Sequence, residues 1–168
     1  MCCHVIIWND FFTQTLSNII GGIVLAVIIY LLGDIIFKIS NINGCWYFRT
    51  TTNKSTLNSY NKMVLTYKVL IWMAGKNIHG TGEKIKEKTI GNDEINYVGP
   101  VRTQIIISGY LTKRYLLKDK IIIHIKEKGT VRDSSSIQTL TFKKNNLIGK
   151  FISTAADSEG DVIWSKQV

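Results

Sequence analysis

The chain has 168 residues, 45% of them hydrophobic, one proline, and a formal net charge of +9. Its three cysteines are Cys2, Cys3 and Cys45, so the part of the chain after residue 42 holds one thiol and cannot close an internal disulfide. That excludes a disulfide-stapled scaffold and agrees with a reducing compartment.

The first long element is "SNIIGGIVLAVIIYLLGDIIFKIS", Ser17 to Ser40. Between Ile19 and Phe37 it carries a single charge, Asp34, and it is apolar on every side rather than along one stripe. About twenty such residues cross a hydrocarbon core of ~30 Å. A cleaved signal peptide fits poorly, because no basic residue precedes Lys38 and no small-x-small cleavage site follows. The pattern predicts a transmembrane helix over about 17–39 within a membrane segment 1–42. "MCCHVIIWNDFF" is expected to lie in the interface, being too short to cross by itself. Lys38, Arg49, Lys54 and Lys62 all follow the helix, so the positive-inside rule places the remainder in the cytoplasm. Gly22 and Ala26 make a small-x-x-x-small step that lets helices approach closely. Asp34 reads either as an interfacial carboxylate paired with Lys38 or as a polar contact between helices.

Residues 43–168 alternate almost throughout. "GCWYFRTTT" is aromatic and β-branched, and "NKMVLTYKVLIWMAGK" sets Met63, Leu65, Tyr67, Val69 and Ile71 on one face. A Lys-Asn turn at 76–77 predicts a tight hairpin into "NIHGTGEKIKEKTI". "VRTQIIISGYLTKR", "DKIIIHIKEKG", "SSSIQTLTFKK", "NLIGKFISTA" and "GDVIWSK" complete eight strands joined by short turns. Glycines recur inside them, at Gly80, Gly82, Gly109, Gly149 and Gly160. In strands they mark sharp bends or close approach. The predicted fold is all-β: an eight-stranded antiparallel up-and-down, lipocalin-like β-barrel with an N-terminal transmembrane helix. A sandwich with ordinary strand glycines is the alternative. Eight strands enclose either a filled core or room for one small ligand.

No catalytic constellation is legible. His4, His79 and His124 are isolated, there is no metal-ligand spacing, no nucleophile elbow and no phosphate loop, so no cofactor and no enzymatic activity are expected. After the helix, twenty basic residues face ten acidic ones. Such an excess suits an anionic leaflet or an anionic small ligand. If Gly80 and Gly82 face inward, Lys84 follows on that face. Tyr67 shares the apolar face of its strand. Arg102, Thr103, Tyr110 and Arg114 belong to a region that could frame one mouth. A cup holding Trp46, Tyr67 and Tyr110 with Lys84, Arg102 and Thr103 would stack a base and meet phosphates. Taken singly, Trp46 also reads as plain core, and Lys84 or Arg102 as plain surface.

The membrane segment followed by "NGCWYFRTTT", "HGTGEK", "ISGYL" and "GDVIWSK" resembles the membrane-anchored β-barrel effectors of bacterial cyclic-oligonucleotide (CBASS-type) anti-phage signalling. The likeness runs over nearly the whole chain on loose motifs. It implies a barrel that senses a cyclic di- or trinucleotide, a homo-oligomer formed on activation, disruption of the lipid bilayer and abortive infection. It also implies a bacterial inner-membrane location, single-pass or two-segment, with no DNA or RNA polymer as partner. That family is usually described with two transmembrane helices, and one is legible here. A tethered small-molecule or lipid carrier, or a tethered protein-interaction module, are the alternatives. The first predicts an uncharged, apolar lumen, the second a filled barrel.

Overall fold

The computed structural model describes residues 3–36, 41–114, 117–129 and 132–167, with helix side chains described from Phe12 to Leu32. The chain divides into two compact units, Met1–Ser40 and Asn41–Val168.

The first unit holds one helix, α1, Cys3–Ile36. It begins well before residue 17, because nothing between Cys3 and Gly21 breaks a helix: the stretch contains no proline or glycine. The expected interfacial stretch is therefore continuous with the span. Phe12–Leu32 is long and apolar enough to cross a membrane. At a rise of 1.5 Å per residue those positions cover about 30 Å. Their apolar side chains are exposed, and none is sequestered as it would be in a core helix.

The second unit is built from strands β1 (Gly44–Lys54), β2 (Val64–Ala74), β3 (Asn77–Lys88), β4 (Ile95–Asn96), β5 (Gln104–Thr112), β6 (Lys120–Glu127), β7 (Ser134–Lys143), β8 (Asn146–Ser153) and β9 (Ser158–Ser165). Apart from the two-residue β4, which lies on β3, each strand pairs antiparallel with its sequence neighbours. The first strand pairs with both β2 and β9, so eight strands close into an up-and-down barrel. Closure removes sheet edges. The eight strands are those that alternation predicts.

The glycines act where backbones press together at the bends. A Cβ on Gly80 would sit 2.7 Å from the Leu70 carbonyl oxygen, and one on Gly160 would strike the Thr51 carbonyl oxygen. The β2–β3 turn falls at Gly75–Lys76, one residue before the expected 76–77, because Gly75 supplies the positive φ of +63° that a tight turn needs.

The interior has two halves. At the end where the chain enters, Ile42, Trp46, Ile71, Ile78, Leu111, Ile121, Leu147 and Trp164 are buried against one another. Ile42 and the carbonyl it lends to the Trp46 indole, 2.8 Å away, belong to this floor, so the barrel begins at 41 rather than 43. Phe48 lies midway, stacked between Tyr67 and Trp164 with ring centroids 4.5 Å apart on each side. Beyond it the lining turns polar.

Candidate ligand-binding cup

The polar half is an open-mouthed cavity of about 540 Å³, within the 300–1,000 Å³ range typical of small-molecule sites. Its floor is Phe48, Tyr67, Ile125 and Phe151, and its wall carries the hydroxyls of Thr50, Thr52, Ser134, Ser136, Ser153 and Ser158. These are the inner-face positions of their strands, where the alternation that inserts isoleucine at the filled end inserts serine and threonine at the other. Gln138 joins the halves: its side-chain oxygen accepts the Trp164 indole N–H at 2.8 Å.

Near the lip a charged cluster projects inward. Lys84 Nζ lies 3.2 Å from Glu87 Oε2 and 3.4 Å from Glu127 Oε1. Tyr67 Oη donates to Glu127 at 2.9 Å, and Tyr97 Oη to Glu87 at 3.0 Å. The ammonium also sits 5.2 Å from the centre of the Tyr97 ring. Burial pulls the Lys84 ammonium down, but the fields of Glu127 and Glu87 together outweigh it and leave the group above the usual lysine value. Burial, reinforced by Glu127, pushes the Tyr67 phenol well above its ordinary range. Tyr97 is raised too, by burial and by its hydrogen bond to Glu87. Lysine therefore stays charged, the tyrosines stay neutral donors, and one cation faces two carboxylates.

Simple alternation would not produce this arrangement. The β2–β3 register runs Tyr67 to Lys84 and then Thr66 to Lys86, leaving Ile85 as an extra residue in a β-bulge. A regular strand would send Lys84, Lys86 and Lys88 inward and keep Glu87 outside. The bulge reverses the parity after Lys84, so Glu87 pairs opposite inward-facing Leu65, while Lys86 turns out to meet Glu94 at 2.8 Å.

Of the six residues expected to share one cup, Tyr67 and Lys84 line it. Trp46 is buried in the filled half, beneath Lys166 at 5.4 Å. Tyr110 is half-exposed on the outer face, because Ile107, Gly109 and Leu111 hold the inward parity of β5. Arg102 lies outside the lining, donating to the Tyr97 carbonyl and pairing with Glu83 at 3.1 Å on the outer parity of β3. Thr103 contributes its carbonyl to the Lys84 backbone N–H rather than a side chain to the cup. Arg114 is at the filled end, in the β5–β6 connection. The cations thus do not converge as the cup required. On the helix, Gly22 and Ala26 are exposed, a Cβ on Gly22 would meet nothing within 4 Å, and the side chains of Asp34 and Lys38 lie outside the described residues.

Glu127 was accessible to period two, following Ile121, Ile123 and Ile125 inward. Glu87 and Tyr97 were not, since one depends on the bulge and the other on a connection without periodicity. Among the described residues no group of three or more His, Cys, Asp or Glu side chains could hold a metal ion.

Fold and site together define a closed eight-stranded barrel with a ligand-sized cup at one end, carried on a chain with a helix of membrane-spanning length. Comparison with protein-family models, with curated proteins and with solved structures finds no match.

Proposed function

We propose that this chain is a membrane-tethered, lipocalin-like binding protein, a carrier or receptor for one small amphiphilic molecule with a neutral or cationic polar end. The cup is not the uncharged, apolar lumen expected of a carrier, being lined by hydroxyls, Lys84, Glu87 and Glu127. What carries this reading instead is that its lip holds no unpaired cation at Lys84, whose ammonium is claimed by both Glu87 and Glu127. A phosphate entering there would meet two carboxylates and would have to displace one from the lysine. A hydroxyl, amide or amine head would find acceptors in the carboxylates and wall hydroxyls, and its apolar part would reach Phe48 and Phe151. The function is binding rather than catalysis, and the helix supplies the tether.

A second reading follows the family resemblance: a bacterial inner-membrane anti-phage effector with its barrel in the cytoplasm, which senses a cyclic di- or trinucleotide, oligomerises and disrupts the membrane. Its support is the net charge of +9 and the presence of Lys84 and Arg132 in the lining, with the Phe48–Tyr67 stack near the floor.

Thermal-shift and calorimetric titration of the full chain in detergent separates the two. Stabilisation by amine- or hydroxyl-headed amphiphiles, with indifference to cyclic nucleotides, is the expected result. Tight, salt-weakened binding of a cyclic nucleotide would reject the carrier reading and favour the effector.

A further inference from the structure

The two ends of the barrel differ sharply in charge. At the filled end the turns with their flanking strand residues, 74–77, 112–120, 143–146 and 165–167, hold eight Lys or Arg and one acid, Asp119. At the mouth the corresponding segments, 54–64, 88–104, 127–134 and 153–158, hold six Lys or Arg and five acids. Ion pairs knit the mouth half further, among them Lys86–Glu94 and Arg102–Glu83. The protein's positive excess is thus gathered at one pole.

Three further features mark that pole. The chain enters the barrel there, at Asn41, and residues 33–40 separate Asn41 from Leu32, the end of the apolar span. Even fully extended, eight residues reach less than about 30 Å. Trp72 and Tyr110 face outward close to this rim, each about half exposed, and Leu117 is exposed in the β5–β6 connection. Indole and phenol rings favour the headgroup region of a bilayer, and clusters of Lys and Arg beside a membrane span attract anionic lipid.

We infer that the filled end of the barrel is an anionic-lipid docking face, with Lys76, Arg114, Lys118, Lys143 and Lys144 as its cations and Trp72 and Tyr110 as its interfacial aromatics. The inference rests on reading Phe12–Leu32 as a bilayer span, and it is independent of which ligand fills the cup. The contact is electrostatic and weakens as the Debye length shrinks with added salt.

The test uses the full chain reconstituted in vesicles of phosphatidylcholine alone and of phosphatidylcholine mixed with phosphatidylglycerol, with hydrogen exchange followed by mass spectrometry. Segments 112–120 and 143–147 should exchange several-fold more slowly in the anionic vesicles, while 54–64 exchanges alike in both. The protection should vanish in high salt and in the double variant Lys118→Glu, Lys144→Glu. Equal exchange in both lipids, in protein that co-floats with the vesicles, would overturn docking while leaving the span intact. Protection by heparin in neutral vesicles, as strong as that from anionic lipid, would assign the face to a soluble polyanion and also overturn it. Failure to co-float with either vesicle would sink the span reading and the docking face together.

Discussion

Replacing Lys84 with methionine is the most informative single change, because it removes the charge at the centre of the lip while keeping an unbranched side chain only one heavy atom shorter. Lys84, Glu87 and Glu127 are 15%, 23% and 20% exposed, so the cluster is mostly shielded from water. At 3.2 Å and 3.4 Å, each ion pair has a gross Coulomb energy of about 5 kcal/mol for an effective dielectric constant near 20, largely offset by desolvation. Removing the cation strands two carboxylates beside each other, each still holding a tyrosine hydroxyl. Breaking a buried pair costs about 3–5 kcal/mol, and the residual exposure places this case near the lower figure. For a barrel of this size that is a fall of roughly 10–15 °C in melting temperature. Lost packing would not respond to the carboxylates, whereas stranded charge is relieved when one of them is replaced by its neutral isostere. The full chain in detergent, melted by scanning fluorimetry, should show this deficit in Lys84→Met and recover part of it when Glu127→Gln is added. No recovery in the double variant, or a deficit below about 1 kcal/mol, would refute the claim that Lys84 is held by both carboxylates.

Stability should also fall at alkaline pH. Tyr67, Tyr97 and Lys84 all hold their protons more tightly in the fold than in the unfolded chain. Their contribution is therefore complete below the unfolded values, near pH 10, and is lost as pH climbs through the folded ones. Denaturant melts across that range should show the decline, and Tyr67→Phe should flatten it. Gly160→Ala should destabilise the barrel by about 1–3 kcal/mol, since its Cβ strikes the Thr51 carbonyl oxygen and lies 2.9 Å from the Phe151 ring. A thermal melt of the variant equal to that of the parent would show that the strands bend there without the glycine.

The barrel was legible because its signals are local. Alternation in β5 to β9 needs no tertiary information, and isoleucine at every second position of β6 declares its inner face. The helix was legible for the same reason, although its start was not: the absence of a breaker before Gly21 says more than the polarity of Asn9 and Asp10. The cup was half legible. Tyr67 and Lys84 follow from parity, while Trp46 was right in face and wrong in height, since alternation fixes which side a residue takes but not which end of the barrel it occupies. Tyr110 and Arg102 show the converse error, where a plausible ligand chemistry stood in for parity. The register of a strand against its neighbour, on which Glu87 depends, is a non-local property that no window of the sequence displays.

The extra residue at Ile85 has a consequence for how such a lip can change. In "KIKEK" the lysines occupy alternate positions, so the same five letters encode a triply cationic lip in a regular strand and a mixed one when bulged. The sign of the lip is thus stored in a residue count, and it can be rewritten without replacing any charged side chain. Deleting Ile85 straightens the strand and keeps Glu87 inside. Retaining it while inserting one residue opposite, between Thr66 and Tyr67, restores even pairing and turns Lys86 and Lys88 inward. A single-codon insertion, usually counted as damage in a strand, is here a short mutational path from a mixed lip to a cationic one.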